Sequence, residues 1–144
     1  MSDVNIRKAE QSDMRRIVPY IVEFKLDCEN LVHDQFYVAE YNGDIAGFGR
    51  IKPYENMYEL STIGVLEEYR RNGIGSKLIK HIIDAFPANE IWITTKIPDY
   101  FAKLGFKKSM FPPEEIKQKC KRVCMSFDEA DDKSDYMVLK KDSL

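Results

Sequence analysis

The sequence has 144 residues, of which 44% are hydrophobic and 32% charged, and its formal net charge at pH 7 is −2. This size and composition are typical of one globular domain, so we expect a single domain over residues 1–144, and the charge argues against a protein built to grip nucleic acid or an anionic membrane. The first residues do not form a basic stretch followed by an apolar run, and no apolar run is long enough to cross a bilayer. We therefore expect a cytoplasmic location.

Strand and helix patterns alternate in the first half of the chain. Residues 4–7 alternate apolar and polar side chains and predict a short strand. Apolar residues then recur at helical spacing over 14–22, with Ser12 as the candidate cap and Pro19 expected to kink or divide the helix. The turn signals Asn42-Gly43 and Glu55-Asn56 then separate three predicted antiparallel strands at 36–41, 45–54 and 57–65.

The second half of the chain predicts a parallel unit. A helix at 74–86 separates the strand at 57–65 from an apolar strand at 90–95, and this order makes the two strands parallel. The later predicted elements are a short helix from Pro98 to a Gly105 cap, a strand at 106–110, a helix from 112 to about 123, a charged loop at 128–135 and a strand at 136–139. The predicted fold class is α+β, with an antiparallel N-terminal meander and a central parallel βαβ unit.

Three cysteines, Cys28, Cys120 and Cys124, do not form the even set of a disulfide framework. Cys120 and Cys124 could share a helix face, but a tetrahedral metal site needs more ligands than this pair offers. We therefore predict reduced thiols and no metal.

The loop before the predicted helix at 74–86 carries the most specific signal. It reads Arg70-Arg71-Asn72-Gly73-Ile74-Gly75-Ser76. Helix N-termini bind phosphate through free amides, glycine lets phosphate approach the backbone, and arginine chelates phosphate oxygens. Taken alone, the two glycines could equally make only a tight turn. The loop lacks the lysine–serine pair of a P-loop and the full glycine spacing of a dinucleotide fold.

In its context the loop resembles the cofactor motif of the GNAT superfamily of N-acetyltransferases, Arg/Gln-x-x-Gly-x-Gly/Ala after a strand that ends in valine. Arg70, Gly73 and Gly75 fill the three specified places, and the segment 100–106 resembles the family's short helix that ends in Gly-Phe. The resemblance covers most of the chain. It implies a mixed sheet with helices on both faces, and transfer of an acetyl group from acetyl-CoA to a primary amine.

The resemblance also implies which residues bind the cofactor. Amides of the loop would hold the CoA pyrophosphate, and the strand before it would pair with the pantetheine arm. The two parallel strands separate in this family, so the thioester would enter between them, where backbone N–H groups can stabilise an oxyanion. The implied cofactor-binding residues are Ile63, Gly64, Val65, Arg70, Arg71, Asn72, Gly73, Ile74, Gly75 and Ser76.

Two side chains are candidates for proton transfer. Many family members place a glutamate base where Glu59 lies, and strand alternation predicts one face for Glu59, Ser61 and Ile63. A solvent-facing strand glutamate is the alternative. Family members often carry a tyrosine acid four residues before the glycine of Gly-Phe, but Phe101 stands there, beside Tyr100. Either Tyr100 reaches the sulfur from another direction, or no side chain protonates it.

The second half of the chain also resembles the acetyltransferase domain of amino-acid N-acetyltransferases of the N-acetylglutamate synthase type. The segments that carry this resemblance are Thr94-Thr95, Tyr100-Phe101, Gly105-Phe106, Pro112-Pro113-Glu114-Glu115 and Val138-Leu139. It implies an acceptor amine that bears a carboxylate. Candidate anchors for that carboxylate are Arg50, Lys52 and Lys96, although each could equally be a plain surface charge.

Two classes of function remain open at this point. The first is an enzyme acting on a small-molecule amine or a protein amine. The second is a catalytically weak GNAT-shaped module that binds CoA or a partner, because fold alone does not fix activity. Tyr20, Phe24 and Tyr54 could line a pocket or belong to the core. Neither nucleic acid nor membrane is expected as a partner, and the oligomeric state is open, a homodimer included.

Overall fold

The structure is a computed structural model that describes residues 4–123 and 134–141. The helices are α1 Met14–Glu23, α2 Ile74–Ala85, α3 Pro98–Ala102 and α4 Glu114–Val123. The strands are β1 Val4–Lys8, β2 Phe36–Tyr41, β3 Asp44–Pro53, β4 Tyr58–Val65, β5 Glu90–Thr95, β6 Lys107–Lys108 and β7 Asp135–Lys140. The seven strands form one sheet in the order β1-β2-β3-β4-β5-β7-β6.

The sheet combines antiparallel pairs with a parallel pair, as predicted. β1 and β3 both run antiparallel to β2, and the β2–β3 turn places Asn42 at φ +51° and Gly43 at φ +83°, the pair of positive φ angles that the expected tight hairpin requires. β4 runs parallel to β5, with Glu59 opposite Trp92. β7 is antiparallel to both β5 and β6. The predicted α+β class with a central βαβ unit is confirmed.

The residues group into two compact units, of which the first comprises the chain up to residue 52 together with 60–87. In this unit α1 buries Ile17 and Ile21 against Phe36 and Phe48 of the meander, and all four side chains are fully buried. The other face of β3 receives α2, since a Cβ added at Gly49 would lie 3.2 Å from Ile82 Cδ1. Helices therefore cover both faces, as the resemblance implied.

The second compact unit comprises 53–59 and the chain from residue 88 onward. Its core is formed by Met57, Trp92 and Ile116, and the partly buried side chains packed against it are Tyr54, Cys120, Tyr136 and Val138. The expectation of a single domain over 1–144 stays a prediction. Within the described ranges no helix has the length and apolar character needed to span a membrane.

The segment before α1 differs from the predicted cap. Residues Gln11–Asp13 form a 3-10 turn that leads directly into α1, so Ser12 lies inside a helical turn and no described side chain caps α1. The Asp13 carboxylate accepts hydrogen bonds from the Glu10 amide at 2.7 Å, which closes the start of that turn, and from Arg7 Nη1 at 2.7 Å. Pro19 lies inside one continuous helix, so of the two expectations for this segment the division into two helices is wrong.

Two later segments also differ from expectation or lie outside the structure. The strand predicted at 106–110 is only two residues long, and Phe106 turns inward to pack on Phe101 with ring centroids 5.6 Å apart. The predicted charged loop at 128–135 lies outside the described residues except for its last two positions, and Cys124 lies outside them as well.

Candidate active site

The loop between β4 and α2 has an unusual backbone. Arg71 has φ +69° and Gly73 has φ +74°, both in the left-handed region. Gly73 is the N-cap of α2, so the helix begins without a capping side chain. The first amides of a helix have no intrahelical acceptor, and here they start directly from an exposed turn. The local sequence therefore produces a helix start that can receive an anion.

The two glycines of this loop serve different purposes. Gly73 needs its positive φ, and a Cβ there would meet no described atom within 4 Å. Gly75 lies inside the helix, and an added Cβ would lie 3.5 Å from Val65 Cγ2, an ordinary packing distance. Packing among the described residues therefore does not require glycine at position 75.

Several side chains of the motif shape the loop itself. Arg70 Nε donates to the Val65 carbonyl at 2.8 Å, and its guanidinium lies over the Phe24 ring at 5.1 Å. Asn72 Nδ2 donates to the carbonyls of Tyr69 and Arg70, both at 3.2 Å. The buried side chain of Ile74 anchors the helix in the core, whereas Arg71 is exposed. Arg70 and Asn72 therefore shape the loop through backbone contacts, while Arg71 lies exposed beside the helix start.

β4 contains a backbone irregularity that the sequence did not predict. Thr62 has φ +53°, a conformation that is rare for a β-branched residue. The hydroxyls of Ser61 and Thr62 lie 3.3 Å apart, so these neighbours point to the same side, whereas Ile63 lies against the position of a Gly49 Cβ. The predicted common face for Ser61 and Ile63 is therefore wrong, because the left-handed residue between them shifts the alternation by one.

A buried polar network surrounds Thr62. Arg50 is fully buried, and its Nε donates to Thr62 Oγ1 at 2.9 Å while Nη2 lies 3.4 Å from the Asp27 carboxylate. Lys52 Nζ contacts Asp27 at 2.8 Å and Glu29 at 2.9 Å. Two cations thus face two carboxylates, and the charges of this cluster balance within the protein.

The network determines the ionisation of Asp27. Burial would raise the pKa of Asp27, but the hydrogen bond from Lys52, the Glu29 amide and the charges of Lys52 and Arg50 outweigh it, so the pKa lies below its ordinary value. Arg50 and Lys52 are therefore paired with a buried carboxylate of their own chain. The burial and pairing of Arg50 and Lys52 are unfavourable for their predicted role as anchors of the acceptor carboxylate. The third candidate, Lys96, is exposed.

Glu59 is buried in the second unit, with 1% of its surface exposed. Tyr54 Oη donates to one carboxylate oxygen at 2.8 Å, and Lys119 Nζ of α4 contacts the other at 2.8 Å. The alternative of a solvent-facing strand glutamate is therefore wrong. The interpretation of Glu59 as the base stays a prediction.

Tyr100 and Phe101 occupy different environments on α3. Phe101 is 5% exposed and packs edge-on against Phe106, so it belongs to the interior. Tyr100 is half-buried, with its ring perpendicular to that of Phe101 at 5.0 Å. The two side chains diverge as successive helix positions must. The role of Tyr100 as an acid stays a prediction.

Two of the three aromatic residues considered for a pocket do line one. A pocket of about 420 Å³ in the first unit is lined by Tyr20, Glu23, Phe24, Leu66, Glu67 and Glu68. Tyr54, the third, instead binds Glu59. In the part of the chain that the structure covers, no cluster of three or more His, Cys, Asp or Glu side chains could hold a metal.

Sequence reasoning missed Asp27, Lys119 and the conformation of Thr62. Asp27 was missed because its charged partners, Arg50 and Lys52, lie on a strand that is distant in sequence. Lys119 did carry a signal, since Ile116, Lys119 and Cys120 are spaced so as to share one helix face. A lysine within the apolar stripe of α4 indicates a buried acidic partner.

The Acetyltransferase (GNAT) family model matches residues 5–106. An uncharacterized N-acetyltransferase of Chlorobaculum tepidum is 31% identical over 130 residues, covering 83% of each chain. An N-alpha-acetyltransferase of Sulfurisphaera tokodaii is 31% identical over 96 residues, 51% of this chain and 56% of that protein. N-acetylglutamate synthase from Neisseria gonorrhoeae, solved with coenzyme A and N-acetyl-glutamate, has a similar fold with a TM-score of 0.75 at 20% identity.

That last similarity covers 95% of this chain but only 35% of the synthase, so this chain spans about a third of its length. The family match covers well over half of the sequence, and the predicted enzyme class and acyl donor are confirmed at the level of the family. The chain belongs to the GNAT family of acetyltransferases, whose acyl donor is acetyl-CoA.

Proposed function

We propose that this protein transfers the acetyl group of acetyl-CoA to the nitrogen of a primary amine, on an amino acid, another small molecule or a protein. The observation that supports this most is the start of α2, where an exposed turn with two left-handed residues leads into a helix that no side chain caps. The CoA pyrophosphate is an anion of the kind that such a helix start binds. The backbone of residues 63–65 would hold the pantetheine arm.

In the proposed reaction the amine nitrogen forms a bond to the acetyl carbon, and the carbon–sulfur bond of the thioester breaks. The attacking amine must first be neutral, so a proton leaves the ammonium for a base. We propose Glu59 as that base. The nitrogen gives up its second proton as the amide forms. The departing thiolate takes up that proton directly or through water, or it takes one from Tyr100, which the proton released by the nitrogen then restores.

The ion pair of Glu59 makes this role testable with a set of variants. Glu59→Gln alone removes the buried carboxylate that Lys119 contacts, and loss of activity could then follow from lost stability. The double variant Glu59→Gln with Lys119→Met removes both charges, so it keeps the fold while removing the base. If Glu59 is the base, the double variant is folded, binds acetyl-CoA, turns over slowly at pH 7 and recovers partly at high pH, where the acceptor deprotonates itself. Wild-type turnover in the folded double variant would remove Glu59 from the mechanism.

The function itself is tested by following thiol release from acetyl-CoA in the presence of a panel of amines. The panel should include amino acids with acidic side chains, because the synthase of similar fold was solved with N-acetyl-glutamate. It should also include peptides with free N-termini, because one relative is an N-alpha-acetyltransferase. Thiol release that depends on one acceptor supports the enzyme. Tight CoA binding without release for any amine would favour the alternative, a GNAT-shaped CoA-binding module.

A further inference from the structure

Thr62 combines a strained backbone with burial. A β-branched residue at φ +53° is disfavoured by contacts between its own Cβ and the backbone. Such a conformation persists only where surrounding contacts fix it. Thr62 is 5% exposed, so its surroundings belong to the protein itself.

Beside its 3.3 Å contact with Ser61 Oγ, the Thr62 hydroxyl makes two shorter hydrogen bonds that hold this conformation. Thr62 Oγ1 donates to the Asp27 carbonyl at 2.9 Å and accepts from Arg50 Nε at 2.9 Å. The hydroxyl thus uses both its donor and an acceptor position, and one partner carries a full charge. Replacing threonine by an apolar residue would remove both bonds from a buried site.

Arg50 connects Thr62 to the segment between α1 and β2. Its guanidinium donates to the Asp27 carbonyl at 3.3 Å, to the Asn30 carbonyl at 3.2 Å and to Gln35 Oε1 at 3.3 Å, and it lies over the Phe36 ring at 5.4 Å. The segment between α1 and β2 is therefore joined to strand β4 by a rigid fork of donors. Lysine could not reproduce this geometry, because it lacks the planar array of N–H groups.

The irregularity lies directly before Ile63, Gly64 and Val65, the stretch proposed to contact the pantetheine arm. A left-handed residue within a strand takes a peptide group out of the regular ladder and reorients the next residues of the strand. The direction in which the backbone of 63–65 presents its N–H and carbonyl groups therefore depends on Thr62.

We propose that Asp27, Arg50 and Thr62 form a positioning network that holds β4 in its irregular conformation and so orients the backbone of 63–65 toward acetyl-CoA. The inference rests on the proposed function for its ligand. None of the three side chains takes part in the chemistry. They act through the backbone of β4, which separates their role from that of Glu59.

Three substitutions of Thr62 distinguish the effect of its left-handed backbone conformation from the effect of its hydroxyl hydrogen bonds. Thr62→Ser keeps the oxygen and both hydrogen bonds. Thr62→Ala and Thr62→Gly both lack the oxygen, but glycine adopts positive φ without strain and alanine does not. In an ordinary strand glycine would be the worse of the two, so the order of Ala and Gly reports whether the left-handed conformation matters.

The measurement is the Kd of CoA by calorimetry, together with hydrogen exchange of the amides of 63–65 in the unliganded protein. We expect Thr62→Ser to stay within threefold of the wild-type Kd and Thr62→Ala to bind at least tenfold more weakly. Thr62→Gly should bind at least threefold more tightly than Thr62→Ala, and exchange at 63–65 should be faster in Ala than in Gly.

Equal Kd values for the Ala and Gly variants, or an Ala variant that matches wild type, would overturn the proposal. If Thr62→Ala does not fold, hydrogen exchange of the amides of 63–65 is compared between Thr62→Gly and Thr62→Ser. The proposed network requires slower exchange in Thr62→Ser, and equal rates in the two variants would overturn it. Neither readout needs turnover. A wild-type protein that binds CoA but releases no thiol would therefore contradict the proposed activity alone. The positioning network would still be decided by the CoA Kd values and the hydrogen exchange of the Thr62 variants.

Discussion

The start of α2 and the carboxylate of Glu59 handle charge in opposite ways. The loop before α2 is exposed, and the partial positive charge of the helix start is directed at solvent. Glu59 is buried, and Lys119 and Tyr54 satisfy both of its oxygens from within the protein. The loop is thus arranged for an anion that arrives from outside, whereas the Glu59 centre is compensated before any ligand binds. Substitutions in the loop before α2 should mainly change CoA binding, whereas substitutions at Glu59 or Lys119 should mainly change the stability of the fold.

The largest effect is expected on breaking the ion pair. Lys119→Met leaves the buried carboxylate of Glu59 without its cation and should lower the free energy of unfolding by about 3–5 kcal/mol. The double variant with Glu59→Gln removes both charges and should recover most of that loss. Urea unfolding of the wild type, both single variants and the double variant measures this. A Lys119→Met protein as stable as wild type would show that the two centres do not differ as described.

Acid should weaken the first unit through its buried carboxylates. The hydrogen bond from Arg7 outweighs burial and lowers the pKa of Asp13. Burial would raise the pKa of Asp27, but the Lys52 hydrogen bond, the Glu29 amide and the charges of Lys52 and Arg50 together lower it. Because each pKa is depressed in the folded state, the stabilisation is complete above the unfolded value of about 3.9 and is lost as pH falls through the folded value.

The free energy of unfolding measured between pH 6 and pH 2.5 should therefore fall mainly below pH 4. Asp13→Asn lacks one of the two carboxylates and should show a shallower fall over the same range. An equal slope in this variant and the wild type would exclude Asp13 from the acid sensitivity.

The two loop glycines should differ in stability when each is changed to alanine. Gly73→Ala places a Cβ at φ +74° and should cost about 1–2 kcal/mol in unfolding free energy. Gly75→Ala gains helix propensity and meets only an ordinary contact with Val65, so its stability should equal or exceed that of wild type. Thermal or urea unfolding of the pair decides. Equal losses at both positions would mean that position 75, too, is constrained by the fold.

The smallest effect is expected at Tyr100. CoA thiolate is a fair leaving group, so its protonation places only a modest demand on the enzyme. Tyr100→Phe should lower kcat less than tenfold, which corresponds to less than about 1.4 kcal/mol in the barrier. Phe101→Tyr should leave activity present. A hundredfold loss in Tyr100→Phe with CoA affinity intact would identify Tyr100 as a general acid.

Local patterns predicted much of the fold and of the loop, because their information is contiguous. The Asn42-Gly43 turn, the helical pattern that predicts α2 and the glycine at position 73 each depend on residues that are close together in sequence. The positive φ of Thr62 and the ion pair of Glu59 depend on Asp27, Arg50 and Lys119, which are distant in sequence. Such contacts come from tertiary packing, and no periodicity encodes them. For the same reason alternation failed within β4.

Binding of the acetyl-CoA pyrophosphate by the loop before α2 can be measured by calorimetric titration of CoA into wild type, Gly75→Ala and Gly75→Glu. Alanine adds a methyl group without charge, whereas glutamate places bulk and negative charge where the phosphate would lie. We expect Gly75→Ala to lose less than tenfold in affinity and Gly75→Glu to lose at least a hundredfold, equivalent to about 2.8 kcal/mol. A folded Gly75→Glu protein that binds CoA as tightly as Gly75→Ala would show that the CoA pyrophosphate does not lie at this loop.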